Sequence, residues 1–457
     1  MILFATVAEH VSIYKKEVDT TKLYDKKKLT PILDVMKEKK VLVIGCGAVG
    51  SMIQEALTRN STGLIVGIDK DYYEEGNIPK SSMAIRYPED IGRNKAVVLA
   101  DRLSAVANEG CKHYGYALDL KRIGPNAISF FDYVVLALDN AAMKIFAQTL
   151  IKQCPEKSRP ICLSCGTNGE FSEAMFFSDK GACLRCTIPD SWLAEEDSET
   201  VWSCAAKVNY LLPEKAMPII STSGIASMKA AMDIDDMITA HSTGAKEFKD
   251  SERFTQIGYP RKDGHSSIIM PLKNCPVCKV KPPEDVLELE GDTLHMTLRD
   301  LLKIISDKLN GDVTLRVHTL TVPAYIPKTY NQFVINGVCR ECGKSFRLNK
   351  HSGFIRSDEV ICPECLAKEE HSCTSKLTEQ EEAVNTFSLD KTPDDILDMT
   401  LFDLGYPIGA NYEAEKVDSL KNDDTELDFE SEVDFNFAES KYFCLSGDKS
   451  LLIEGKL

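Results

Sequence analysis

Residues 41–50, VLVIGCGAVG, run from a short apolar stretch directly into Gly45-Cys46-Gly47-Ala48-Val49-Gly50, and SMIQEALTRN continues with helical spacing. The apolar run is the length of a buried strand, and the glycines permit a tight turn with close backbone approach. GLIVGID at 63–69 reads as a second buried strand that ends in an acid. A helix is expected from Gly92 to about Asn108, and FFDYVVLAL at 130–138 is another buried strand. Strands alternating with helices predict an α/β fold with a doubly wound, Rossmann-like, mostly parallel sheet. Helix N–H groups at the glycine loop would face phosphates, and Asp69 would take ribose hydroxyls. The loop alone fits an ATP site and an NAD- or methyl-donor site equally.

The charge of the chain is local. Of its 70 acids against 54 Lys and Arg, residues 379–457 hold 21 acids against 6 lysines, leaving 49 against 48 for the rest. A nearly neutral body with an acidic end lacks the basic footprint that phosphate-backbone binding needs, which argues against nucleic acid. It permits electrostatic docking of a basic protein. No run approaches the roughly 20 apolar residues of a membrane span. The opening MILFATVA has no basic residues before it and reads as a strand, which points to a cytoplasmic chain.

Four Cys-x-x-Cys pairs stand at 183/186, 275/278, 339/342 and 362/365. In a reducing compartment such pairs indicate metal rather than disulfides. Cys339, Cys342, Cys362 and Cys365 have the spacing of a zinc ribbon. Cys183, Cys186, Cys275 and Cys278 are too far apart in sequence for one local knuckle. Cys46, Cys111, Cys154, Cys162, Cys165 and Cys444 sit in or beside apolar segments as ordinary thiols, and His351, His371 and Cys373 read as bystanders.

At roughly 100–200 residues per domain, the length implies two to four units. The expected division is a lead-in element at 1–38, a nucleotide-binding body at 39–280, an α+β segment with the zinc ribbon at 281–375, and an acidic module at 376–457. The third segment carries an amphipathic helix, TLRDLLKIISDKL at 297–309. The fourth alternates at Leu427, Phe429, Val433, Phe435 and Phe437, as a half-buried strand would.

The stretch IDKDYYEEGNIPKSSMAIRYPEDIGRNKAVVLADRL, with LALDNAAMK further on, resembles the ThiF/MoeB and ubiquitin-activating enzyme superfamily over roughly residues 38–280. The family's Asp-x-Asp appears as Asp69 and Asp71, its Asn-x-x-Arg-Gln as Asn77-Ile-Pro-Lys80-Ser81, its Gly-x-x-Lys as Gly92-Arg93-Asn94-Lys95, and its Asp-Asn as Asp139-Asn140. Lys80 stands where the family has arginine, and the family's N-terminal Arg has no clear equivalent in residues 1–38.

The resemblance implies ATP-dependent adenylation of the terminal carboxylate of a small ubiquitin-like β-grasp protein. Gly45, Gly47, Gly50, Asp69, Asp71, Asn77 and Asn140 would then hold the nucleotide. Lys80, Lys95 and, less centrally, Arg86 would supply cation as pyrophosphate leaves, and Asp139 would hold Mg2+. It implies that Cys183, Cys186, Cys275 and Cys278 close one structural zinc site, which with the ribbon makes two. It also implies a homodimer. Cys204, in TVWSCAAKVNY after a polar loop, would accept the acyl group as a thioester, with Lys207 the one nearby base in sequence. TPDDILDMTLFDLGYPIG and KYFCLSGD loosely resemble C-terminal modules that recruit a conjugating enzyme. Two other readings remain: a sulfur-carrier adenylyltransferase without thioester, serving cofactor or tRNA thiolation, and a non-catalytic scaffolding subunit. A dehydrogenase lacks support, since no hydride-handling His or Lys-Tyr pattern stands out.

Overall fold

The computed structural model describes residues 34–168, 171–179, 181–188, 216–257, 263–322, 327–339, 342–355, 362, 377–417 and 440–457. Residues 1–33 of the lead-in element expected at 1–38, Cys204, Lys207, Cys365, His371, Cys373 and the alternating stretch 427–437 lie outside them.

The nucleotide-binding body is built on β1 (Lys40–Ile44), α1 (Ala48–Arg59), β2 (Leu64–Ile68), α2 (Lys95–Ser104), β3 (Lys112–Tyr116), β4 (Tyr133–Leu136), α3 (Ala141–Gln153), β5 (Ile161–Asn168), β6 (Phe171–Phe177), α4 (Ala216–Ser242), β7 (Glu252–Ile257) and β8 (Asp263–Ile268). One eight-stranded sheet runs in the order β3-β2-β1-β4-β5-β6-β7-β8. The first five strands are parallel and the last three antiparallel. The observed class is thus mixed α/β with a large sheet whose parallel half matches the expected winding.

The strand residues explain why helices cover both faces. Leu42 and Ile44 of β1, Val66 of β2 and Val134 of β4 enter one core with Ile145 and Phe146 of α3. Val41, Val43, Ile65 and Val135 enter the opposite core with Ile53 and Leu57 of α1 and Ile234 and Ile238 of α4. Side chains alternate across a strand, so an uninterrupted apolar run becomes a strand buried on both sides.

The rest of the described chain adds β9 (Leu287–Leu289), α5 (Leu298–Leu309), β10 (Val313–Arg316), β11 (Leu320–Val322), β12 (Lys328–Tyr330), β13 (Phe333–Cys339), β14 (Ser345–His351), β15 (Leu377–Val384), β16 (Thr386–Phe387), β17 (Tyr412–Lys416), β18 (Lys441–Leu445) and α6 (Asp448–Ile453). A five-stranded sheet is ordered β16-β10-β17-β18-β9 and a three-stranded one β14-β13-β15. Leu298, Leu301, Leu302 and Ile305 form one buried stripe of α5 on that larger sheet. Thr297 caps the helix by accepting from Asp300 N, and Asn310 ends it in the left-handed region at φ 53°. Strands from 281–375 and from 376–457 therefore share the same two sheets, so the boundary expected at residue 376 does not separate two packed units.

This C-terminal part is also packed onto the nucleotide-binding body. Gly124 N donates to Ile408 O at 2.7 Å and Ile408 N to Arg122 O at 2.9 Å. The Tyr116 hydroxyl donates to Leu452 O at 2.9 Å. The Arg122 guanidinium lies 3.9 Å from the Phe354 ring and 4.6 Å from the Phe402 ring. Leu451, Leu452 and Ile408 belong to the same core as β1 and α3.

Candidate nucleotide site and cysteine clusters

The glycine loop folds as it does because its neighbours leave no room for side chains. Gly45 has φ 93°, and a Cβ there would meet Ala137 O at 2.7 Å. A Cβ on Gly50 would lie 1.9 Å from Gly45 O, so helix α1 starts hard against the turn. Gly47 is different: it has φ −72° and ψ −153°, and nothing stands within 4 Å of where its Cβ would be.

Asp69, one residue past β2, ties the loop from the other side. Its carboxylate accepts from Cys46 N at 2.7 Å and from Asp71 N at 2.9 Å. Burial pushes the carboxyl above its ordinary range, and the neighbouring Asp71 charge adds to this. The two N–H donors and Lys95 act in the opposite direction. Lys95 opens α2 with its Nζ 3.8 Å from Asp71 Oδ2, and its side chain is 14% exposed. Asp139 is exposed, two residues beyond Ala137, whose backbone touches the glycine turn. Asn140 caps α3, its Oδ1 accepting from Met143 N at 2.7 Å.

The structure gathers Gly45, Gly47, Gly50, Asp69, Asp71, Lys95, Asp139 and Asn140 around the carboxyl ends of β1, β2 and β4, the ligand crevice of an open α/β sheet. Asn77 and Lys80 belong to a 3-10 turn, Glu75–Lys80, beside it. The Asn77 amide oxygen accepts from Glu74 N at 3.1 Å, within its own turn. Ser82 N donates to Ser51 Oγ at 2.9 Å, and Ser82 Oγ bonds Glu55, which pins the segment carrying Lys80 to the start of α1. The Arg86 side chain is exposed.

Three buried polar side chains of the body were not evident from the motifs. Gln54 lies under the loop, donating to Cys46 Sγ at 3.2 Å and bonding His113 Nε2 at 2.9 Å. Burial lowers His113 to about 4, so the imidazole is neutral near pH 7 and donates to the Gln54 carbonyl. Lys144 is buried, with Nζ donating to Cys165 O at 2.6 Å. Asn94 bridges α2 to the loop after β2. Each is a polar residue at a helical or pre-helical position. The available signal was an unexplained polar residue inside an apolar face.

The cysteine clusters have metal-site geometry. Cys183 and Cys275 sulfurs are 3.4 Å apart, Cys186 and Cys278 3.6 Å, and Cys183 and Cys186 3.8 Å. Four sulfurs tetrahedrally placed at a Zn–S distance of about 2.3 Å are roughly 3.8 Å from one another, so the set fits zinc. Leu272 N donates to Cys186 Sγ at 3.3 Å, a bond that would stabilise a thiolate. Burial and the sulfurs of Cys278, Cys275 and Cys186 raise the Cys183 thiol, a cost that a bound cation reverses. The set offers four protein donors, the number that a closed structural zinc site uses.

Cys339, Cys342 and Cys362 converge within 4.8 Å as a second group, and Cys365 lies outside the described residues. His351 is elsewhere, bonding His318 O through Nε2 and accepting from Gly353 N at Nδ1. Burial raises Cys154 and Cys162 to about 12 and Cys165 to about 11, which leaves them inert core thiols. Among the described residues, no helix is long and apolar enough to cross a membrane.

A family model described as "ThiF family" matches residues 22–280, more than half of the chain. The tRNA threonylcarbamoyladenosine dehydratase of Bacillus subtilis is 29% identical over 148 residues, covering 32% of this chain and 55% of that protein. The adenylyltransferase and sulfurtransferase MOCS3 of Mus musculus is 26% identical over 195 residues, covering 40% of this chain and 39% of that protein. The ATP-dependent ubiquitin transferase-like protein Cap2 of Escherichia coli is 22% identical over 158 residues, covering 34% and 26%. The chain thus spans about half the length, or less, of these curated relatives. E. coli MccB solved with ATP aligns at TM-score 0.40 and 18% identity, covering 55% of this chain and 68% of that one.

Proposed function

The chain belongs to the ThiF family, and from that membership we propose that it is an ATP-dependent adenylyltransferase that activates the terminal carboxylate of a small β-grasp protein. The observation that carries the reading is the Asp69 carboxylate holding the Cys46 and Asp71 N–H groups beside Lys95, with no described atom within 4 Å of where a Gly47 Cβ would lie. In the proposed step a carboxylate oxygen attacks the α-phosphorus of ATP. An acyl–oxygen–phosphorus bond forms, the bond to the β-phosphate oxygen breaks, and pyrophosphate leaves. Lys95 and Lys80 would neutralise phosphate charge as it moves. Asp69 would take the ribose, and the exposed carboxylate of Asp139 suits Mg2+, which would further screen the phosphates.

The finer reading is that Cys204 then attacks the acyl carbon, releasing AMP and leaving a thioester for a conjugating partner docked on the C-terminal part. A homodimer and two structural zinc ions complete the proposal. The sulfur-carrier reading gains weight from the similarity to a protein described as an adenylyltransferase and sulfurtransferase. Pyrophosphate exchange stimulated by a β-grasp protein and lost in Asp139→Ala tests the common step. An adduct cleaved by thiol reductant and absent in Cys204→Ala selects the thioester version. A thiocarboxylate product without such an adduct selects sulfur transfer, and no exchange at all leaves the scaffolding subunit.

A further inference from the structure

Asn94 is 8% exposed at the N-cap of α2, and its whole amide is engaged. Its Oδ1 accepts from Ala96 N at 3.0 Å and Val97 N at 3.2 Å, which is ordinary helix capping. Its Nδ2 donates to Asp69 O at 2.9 Å and Asp71 O at 3.1 Å, which capping does not require. Backbone bonds follow the same path: Lys95 N donates to Asp71 O at 2.9 Å, and Asn94 forms an isolated bridge with Tyr72. One side chain therefore joins the start of the helix that carries Lys95 to the loop that carries both acids.

The chemistry selects asparagine among the capping residues. Aspartate and serine cap equally well, but aspartate has no hydrogen to give. Serine has one hydrogen on a shorter stem, against two carbonyls. Only an amide of this length caps with one end and donates twice with the other.

We propose that Asn94 is a positioning residue for the nucleotide: by holding the Asp69–Asp71 loop to the first residue of α2, it sets the spacing between the two carboxylates and Lys95. This rests on the reading of the crevice as an ATP seat. Asn94 itself need not touch the ligand. Asp69 O keeps a second donor, Leu118 N at 3.2 Å, so removing the amide loosens the loop without orphaning that carbonyl.

The test uses the full-length protein and two variants, Asn94→Ser and Asn94→Asp, both of which retain a cap. ATP affinity is measured by calorimetry, KM and kcat by pyrophosphate exchange, and folding by the thermal midpoint. Each variant is also combined with Lys95→Ala. Loss of two neutral hydrogen bonds predicts about a tenfold rise in Kd and KM for ATP. The thermal midpoint should move only a few degrees. The penalty of Lys95→Ala should shrink in either Asn94 background, because a displaced Lys95 has less to lose. Variants that bind ATP like wild type, or penalties that simply add, overturn the inference alone. A wild-type protein that takes up no ATP overturns the proposed function together with it.

Discussion

Gly47 and Gly50 should fail in different ways when each is changed to alanine. At Gly50 the new Cβ would sit 1.9 Å from Gly45 O on the turn and 3.2 Å from Ala137 Cβ just beyond β4. No rotamer relieves a backbone clash, so α1 must shift away, at about 1–3 kcal/mol for overpacking. In a body of this size that lowers the thermal midpoint by about 2–4 °C per kcal/mol. At Gly47 the dihedral angles are open to alanine and no protein atom lies within 4 Å. A weaker N-cap costs a few tenths of a kcal/mol or more, and the reduced freedom of the unfolded chain returns about 0.4–1 kcal/mol. The net change is therefore about zero. What the Gly47 methyl does occupy is the space where a phosphate would approach the helix N–H groups. Gly47→Ala should keep the wild-type melting curve without nucleotide, yet weaken ATP at least about tenfold by calorimetry. Gly50→Ala should lower both. If Gly47→Ala melts like Gly50→Ala, or binds ATP like wild type, the open side of the loop is not the ligand side.

Purified protein should carry two zinc ions per chain by elemental analysis. Cys275→Ser should remove one and lower the thermal midpoint, because the fourth donor of a closed site is lost. Asp448 should make stability fall between about pH 4 and 6. Its carboxyl is buried, raised to about 6, and accepts from Thr293 N, Thr293 Oγ1 and Gly409 N. A folded value above the unfolded one means that the folded protein holds the extra proton. The contribution of Asp448 is therefore fully present below about pH 4 and falls by up to about 3 kcal/mol as pH rises through 6. Asp448→Asn should flatten that part of the pH profile of denaturation; an unchanged slope would refute the assignment. Tyr116→Phe, which frees the Leu452 carbonyl, should cost about 1 kcal/mol in the same assay.

The nucleotide-binding half was legible because local sequence and tertiary environment agree there. VLVI and LIVGI are apolar at every position, since both strand faces are covered, and the glycines mark places where the chain touches itself. The observed helix Lys95–Ser104 is shorter than the stretch expected from Gly92 to Asn108, because the Asn94 side chain fixes where it begins. Asn94, Gln54 and Lys144 were not legible as buried polar anchors. Their roles come from partners 23, 8 and 21 residues away, and no short pattern encodes such pairings. The convergence of the cysteine pairs was legible, because two thiols three residues apart already define half of a candidate metal site.

The C-terminal acidic segment is where composition and packing diverge. Its excess of acids suggested a module that hangs from the body and meets a partner. Yet Ile408, Leu451 and Leu452 are buried in the same core as β1 and α3, and Tyr412, Phe443 and Leu445 complete the sheet beneath α5. Charge reports only the solvent face of an element, and a strand with acids outward still buries every second residue. Removing residues 379–457 would therefore strip β16, β17, β18 and α6 from their sheets and uncover Tyr116, beside the strand that delivers Asp69. A truncation at residue 379 would thus disturb the sheet that carries the candidate site as well as the C-terminal part. Separating handover from adenylation calls for charge changes at exposed acids such as Asp394 and Asp398, with their common partner Arg299 on α5 changed alongside so that no like charges are left facing each other.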